Sequence, residues 1–182
     1  MIRSATPEDA PAIRDIYAYY VTDTVITFET SVPSEEEMAR RVRTISSEYP
    51  YLVMETDGEV TGYAYASRWK TRAAYDRTVE ISVYVREGFG GRGVGSALYE
   101  RLLGLLQARG IHAVVAVIAL PNEPSRRLHE KFGFRDAGRL PEVGLKFGRW
   151  IDVGYWILTI DAPAASQCIE KTPGTEADSG RR

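Results

Sequence analysis

The sequence predicts an α/β fold of the α+β type: a mixed, mostly antiparallel sheet of about seven strands with helices on both faces. Three observations carry this. The elements read β-α-α-β-β-β-α-β-α-β-β along the chain, which is a layered α+β order. Asp57-Gly58 stands between two β-rich runs and marks a tight antiparallel hairpin. One later strand runs through a glycine-dense turn into a periodic helix and then into a wholly apolar strand, which makes one parallel crossover.

Each element has its own signal. Ile2 to Ala5 is a short first strand. Thr6 as N-cap and Pro7 in the first helical position open a helix whose buried face carries Ile13, Ile16, Tyr17 and Tyr20. The β-branched stretch Thr24 to Thr30 is extended but connects two helices. Ser34-Glu35-Glu36-Glu37 reads as a capping box for a second helix, with Met38, Val42 and Ile45 inward. Strands Tyr51 to Glu55 and Val60 to Ser67 flank the Asp57-Gly58 turn. A polar loop, Trp69 to Arg77, leads to strand Thr78 to Val85, then to the glycine turn and its helix, with Val94, Leu98, Leu102 and Leu105 on one face. Ala113 to Ala119 is apolar throughout, as a central strand is. A short helix from Asn122 to about Phe132 follows, then β segments near Phe134 to Leu140 and Trp150 to Ile160.

Bulk properties narrow the class. The 182 residues suit one domain over 1–161, followed by a tail over 162–182 whose aperiodic composition predicts disorder. A formal charge of −2 lacks the basic surplus of a nucleic-acid binder. No apolar run has the length of a membrane span, and the N-terminus lacks a signal-peptide core, so a cytoplasmic protein is expected. The single Cys168 and two His are too few for a disulfide or a structural zinc site, so no metal is expected.

Gly90-Gly91-Arg92-Gly93-Val94-Gly95-Ser96 is the strongest chemical signal. A glycine turn at a helix start offers unpaired N–H groups and the positive end of the helix dipole, which together hold a phosphate or pyrophosphate. A nucleoside-triphosphate loop would end in Gly-Lys-Ser/Thr, whereas Ser96-Ala97 follows Gly95 here. A dinucleotide site would need an acid closing the next strand, which ends instead in Leu120-Pro121-Asn122. The alternative is a surface loop that binds nothing, and four glycines in six residues argue against it.

Further motifs accompany the turn. They are Tyr65-Ala66 with Trp69-Lys70-Thr71-Arg72-Ala73-Ala74-Tyr75-Asp76, Val79-Glu80 with Val83-Tyr84-Val85, and Gly93 to Tyr99. Val114 to Ile118, Leu120-Pro121-Asn122, Leu128-His129-Glu130, Gly133-Phe134, and Lys146 to Trp150 with Asp152-Val153-Gly154 complete them. With these residues the chain resembles the GNAT superfamily of N-acetyltransferases over roughly residues 1 to 160, and within it the phosphinothricin and methionine-sulfoximine N-acetyltransferases.

The resemblance implies acetyl-CoA as cosubstrate. It implies pantetheine pairing by backbone groups of Val83, Tyr84 and Val85, with Gly91, Arg92, Gly93, Val94, Gly95 and Ser96 on the pyrophosphate and Asn122 further along. Superfamily members usually carry Gln or Arg three residues before the first paired glycine. Gly90 stands there in this chain, which predicts a less ordered loop rather than lost binding.

Acetyl transfer from a thioester to an amine requires a base for the ammonium, stabilisation of the carbonyl oxygen and a proton for the thiolate. Glu80 interrupts a β-branched strand and is the candidate base, the role the resemblance also implies; on alternation alone it would face solvent. His129 lies seven residues after Asn122, about two helical turns, and is the candidate acid or substrate-orienting group. Its other reading is a structural histidine. His112 reads as a surface residue.

Lys70, Arg72 and Tyr75 suit an anionic acceptor, although by themselves they read as a solvated basic loop. The resemblance implies that they bind substrate and that Phe28 forms a pocket wall. Phosphinothricin-specialised members often carry His where Phe147 and Ile151 stand, so this chain is more similar to the methionine-sulfoximine or sulfone type.

The expected function is therefore acetylation of the α-amine of a small amino-acid analogue, by direct attack and with no acyl-cysteine. The alternatives are acetylation of a protein N-terminus or lysine, which needs an open peptide groove, and a non-catalytic acyl-CoA sensor. The family and the apolar last hairpin predict a homodimer.

Overall fold

A computed structural model describes residues 1–160. The tail expected at 162–182, with Cys168, lies outside the described residues. The elements are β1 (Ile2–Ser4), α1 (Ala10–Thr22), α2 (Glu35–Ser46), β2 (Tyr51–Thr56), β3 (Glu59–Arg68), β4 (Thr78–Val85), α3 (Val94–Ala108), β5 (Ala113–Leu120), α4 (Glu123–Lys131), β6 (Arg135–Lys146) and β7 (Arg149–Thr159).

The seven strands form one sheet in the order β1-β2-β3-β4-β5-β7-β6. Every neighbouring pair is antiparallel except β4 and β5, which the α3 crossover makes parallel. That exception creates the site. β4 and β5 pair only from Thr78 to Glu80 against Ala113 to Val115. Beyond Glu80 the two strands part.

Two cores sandwich the sheet. On one face Ile13, Ile16, Tyr17 and Val21 of α1 and Met38 and Val42 of α2 bury against Tyr51, Val53 and Tyr63. On the other, Leu98, Tyr99, Leu102 and Leu106 of α3 bury against Ala64, Ala66, Val79, Ile81, Val114 and Ala116. Strand alternation assigns the β4 side chains: Val79, Ile81, Val83 and Val85 join the α3 core, and Glu80, Ser82 and Tyr84 face α1.

Local chemistry explains the ends of the elements. The residues after Thr6 form a 3-10 turn, Pro7–Asp9, before α1 begins at Ala10. Asp9 Oδ2 accepts from the Thr6 N–H at 2.8 Å, and Arg3 holds the same carboxylate. At α2 only half of the predicted capping box forms. Ser34 Oγ accepts from the Glu37 N–H at 3.1 Å, while the Glu37 carboxylate turns to Arg40 and Arg41. The β2–β3 hairpin turns on Asp57 and Gly58, both with positive φ, as its two-residue loop demands.

The last hairpin is longer than its sequence predicts. β6 continues past Leu140 to Lys146 and turns at Phe147-Gly148. Gly138, Pro141 and Gly144 disguise this strand. The register shifts between Leu140 and Gly144, which absorbs Pro141, and between Asp136 and Gly138, beside a glycine that itself pairs with Tyr155.

Candidate active site

The parting of β4 and β5 opens a slot through the sheet. Ile81, Ser82, Val83 and Tyr84 line one wall, and Val117, Ile118 and Ala119 the other. Tyr99, Asn122, Ser125 and His129 line it on the α3–α4 side, and Ile26 from the α1–α2 connection closes the opposite mouth. The slot thus joins the two faces of the sheet.

Register decides which backbone groups are open to it. The Arg86 N–H donates to the Thr61 carbonyl, so Tyr63–Tyr84 and Tyr65–Ser82 are the hydrogen-bonded pairs and their N–H and C=O groups turn to β3. Those of Val83 turn the other way, where β5 has left. The Val85 carbonyl accepts from Tyr20 Oη at 2.7 Å, and the Val85 N–H reaches the same oxygen at 3.2 Å. Of the three residues expected to pair with pantetheine, Tyr84 turns its backbone groups to β3, Val85 is hydrogen-bonded to Tyr20, and Val83 faces the opening.

The glycine turn is exposed at the start of α3, with Gly93 as N-cap. Gly91 and Gly93 have φ of 75° and 86°, and a Cβ on either would meet nothing within 4 Å. Backbone conformation, not crowding, requires glycine there. Arg92 stacks its guanidinium 4.9 Å from the Phe89 ring. Val94, Gly95 and Ser96 form the first turn of α3, and Lys131 of α4 donates to Ser96 Oγ at 3.0 Å. Gly90 has no positive φ and open space around it, so a longer side chain would fit. Asn122 caps α4, its side chain accepting from the Ser125 N–H at 3.2 Å. Open amides at a helix N-terminus, beside a strand edge with one unpaired residue, fit the pyrophosphate and pantetheine of a CoA thioester.

Glu80 sits at the last paired step before the slot and is half-buried. Burial raises its pKa, and the nearby Lys70 ammonium opposes that rise. Lys70 lies 4.6 Å over the Trp69 ring, which meets Tyr155 of β7 edge-on. Arg72 precedes a 3-10 turn, Ala73–Tyr75, that ends in Tyr75, and both are exposed. Lys70 lies within electrostatic reach of Glu80, and Lys70, Arg72 and Tyr75 all stand outside the slot lining. Phe28 is 40% exposed and lies across Gly144 of β6.

His129 is buried, with both ring nitrogens engaged. Nδ1 is 2.7 Å from the Ser125 carbonyl, and Nε2 is 2.7 Å from Tyr99 Oη. A carbonyl only accepts, so Nδ1 carries the proton and Nε2 accepts from the Tyr99 hydroxyl. Burial lowers the His129 pKa, which keeps the ring neutral. His112 is exposed.

Sequence reasoning missed Ile26, Tyr99 and Ser125 in the slot lining, and Tyr20, which caps Val85. Tyr99 carries a signal, since a hydroxyl inside the apolar face of α3 needs a buried partner. Ser125 and His129 have i,i+4 spacing on α4. Tyr20 and Ile26 carry none, because their roles come from where the α1–α2 connection crosses the sheet.

A split parallel strand pair beside an exposed, glycine-rich helix start suits a CoA-dependent acyltransferase. The family model described as "Acetyltransferase (GNAT) domain" matches residues 2–154, and the chain belongs to this family. It is 44% identical over 163 residues to a phosphinothricin N-acetyltransferase of Streptomyces viridochromogenes, covering 90% of this chain and 89% of the relative. It is 38% identical over 165 residues to an L-methionine sulfoximine/L-methionine sulfone acetyltransferase of Salmonella typhimurium, covering 90% and 96%. A phosphinothricin acetyltransferase of Sinorhizobium meliloti, solved with acetyl-CoA, superposes with a TM-score of 0.87 at 37% identity, covering 94% of each chain. The chain is thus an N-acetyltransferase with acetyl-CoA as cosubstrate. Among the described residues no helix is long and apolar enough to cross a membrane.

Proposed function

We propose that this enzyme acetylates the α-amine of a small amino-acid analogue of the L-phosphinothricin, L-methionine sulfoximine or L-methionine sulfone type. The observation that carries this reading is the Glu80 carboxylate, half-buried at the point where the slot opens and within electrostatic reach of the Lys70 cation. The named relatives support the substrate class.

Acetyl-CoA supplies the activated acetyl group. Val83 offers its open N–H and C=O to the pantetheine arm, the amides of Gly91 to Ser96 hold the pyrophosphate, and Asn122 contacts the arm further along. The amine arrives protonated, since its pKa lies well above neutrality, and Glu80 takes the proton through a water. Glu80 does not itself line the slot, which is why a water carries the proton. Lys70 and Arg72 attract the acceptor's anionic groups, Arg72 as a planar fork and Lys70 as a point charge, with Tyr75 beside them. Phe28 and Ile26 form the apolar wall. His129 acts by position, since its neutral ring holds Tyr99 at the back of the slot.

The protein works as a homodimer in the cytoplasm, where acetyl-CoA is available. Leu140, Val143, Leu145, Phe147 and Trp150 of the last hairpin are 45–61% exposed, more apolar surface than an edge hairpin leaves to water.

Thiol release from acetyl-CoA tests the reading, with L-phosphinothricin, L-methionine sulfoximine, L-methionine sulfone and a peptide panel as acceptors. Saturable turnover on the amino-acid analogues alone is expected. Turnover on peptides alone would make this a protein acetyltransferase, and acetyl-CoA binding without any turnover would make it a sensor.

A further inference from the structure

Lys146 is 2% exposed, the most buried lysine among the described residues, and no step above uses it. An ammonium is costly to take out of water unless its donors are satisfied. Here the acceptors are main-chain carbonyls of the α1–α2 connection. Nζ donates to the Thr27 carbonyl at 2.7 Å and to the Tyr20 carbonyl, in the last turn of α1, at 3.2 Å. A cation at a helix C-terminus is favoured by the dipole. Burial lowers the Lys146 pKa and the Glu29 carboxylate opposes this.

Thr27 stands between the two wall residues. Ile26 lines the slot, and Phe28 lies across β6. The same short segment is held from its other side, where Tyr17 Oη lies 2.6 Å from Thr27 Oγ1 and donates to Glu29 at 3.0 Å, and Arg41 pairs with Glu29 at 2.7 Å. Gly144 lies two residues before Lys146, hence on the same face of β6. A Cβ at Gly144 would fall 2.3 Å from the Phe28 ring, so glycine is what lets the ring lie down. The opposite side chains of this strand, Val143 and Leu145, are exposed.

We propose that Lys146 is a positioning residue for the acceptor: by holding the Thr27 carbonyl it fixes Ile26 and Phe28 as the acceptor wall, and so ties that wall to the last hairpin. The assignment rests on the acceptor site proposed above. The methylenes of Lys146 only fill space. Its charge sets where the wall stands, and a neutral side chain of similar length loses that.

The test is Lys146→Met, read three ways. Acetyl-CoA affinity, measured by calorimetry, stays within about twofold. KM for the acceptor rises about tenfold, as the charge-assisted hold on the Thr27 carbonyl is lost, with a smaller change in kcat. Amide hydrogen exchange speeds up over residues 24–29 and stays unchanged in α3. Gly144→Ala, which displaces the Phe28 ring and leaves the Lys146 ammonium in place, raises acceptor KM with cofactor affinity unchanged.

Unchanged exchange over 24–29 overturns the proposal, as does an equal loss of cofactor and acceptor binding. Global unfolding of Lys146→Met also overturns it, because Lys146 would then hold the fold rather than the wall. The exchange measurement needs no acceptor. A wild-type enzyme silent on every amino-acid analogue would therefore refute the substrate class while the loop reading still decides on Lys146.

Discussion

Glu80 pairs with Val115 as the last step of the parallel ladder, and the strands on either side of the slot diverge from that step. The base candidate and the opening it serves are consequences of one register. Because Glu80 and Ser82 alternate with Ile81 and Val83, the carboxylate faces the α1 side while the α3 core stays apolar.

The proton affinity of Glu80 has two measurable consequences. Burial raises its pKa, so the acid limb of kcat/KM lies above the ordinary carboxylate value of about 4.3, and activity falls as pH drops through it. A carboxyl whose folded pKa is raised contributes stability below its unfolded pKa and loses it as pH rises through the folded value. Glu80→Gln does not titrate, so it unfolds at a higher temperature than wild type near pH ~7, and the difference shrinks toward pH ~4. Thermal unfolding at both pH values checks this; a lower Tm for the variant near neutrality contradicts it.

Tyr99→Phe leaves Nε2 of His129 buried and unpaired, which costs about 1–3 kcal/mol in urea unfolding. In the wild type, the lowered His129 pKa gives stability that is present above the unfolded value near ~6.5 and is lost as pH falls toward the folded value. Nitrogen NMR of the ring reads the tautomer directly. A neutral Nδ1–H form near pH 7 is expected, and a doubly protonated ring there would refute the assignment.

Removing the cations separates binding from chemistry. Arg72→Ala raises acceptor KM by about tenfold with little change in acetyl-CoA affinity. Lys70→Met does this too, and it also moves the acid limb of the pH profile upward, because Lys70 opposes the rise in the Glu80 pKa. A pH profile unmoved by Lys70→Met would show that the two groups do not communicate.

The hairpin surface is tested by charge. Leu145 and Trp150 face each other across β6 and β7, and both are more than half exposed. Leu145→Asp with Trp150→Asp converts the dimer to monomer in sedimentation velocity, with the fold intact by circular dichroism. A wild-type protein that is monomeric at micromolar concentration contradicts the dimer.

Much of this was legible in the sequence. The element order, the single crossover and the Asp57-Gly58 hairpin are local signals, written by periodicity and turn chemistry over a few residues. Gly91, Gly93 and Asn122 were legible for the same reason, since helix ends announce themselves. The length of β6 was not, because Pro141 and Gly144 imitate loop chemistry, and only the pairing of Leu140 and Gly144 with β7 on either side of Pro141 carries the strand through. Nor were Tyr20 and Lys146. Their partners lie 65 and 119 residues away along the chain, and no local pattern records such contacts.

The role proposed for Glu80 is that of the base, with no part in building the cofactor site. The measurement is turnover of Glu80→Gln on the best amino-acid acceptor beside its acetyl-CoA affinity by calorimetry. Turnover lower by about a hundredfold or more, with affinity within about twofold, is the predicted result. Turnover close to wild type, or a parallel loss of turnover and acetyl-CoA affinity, would contradict it.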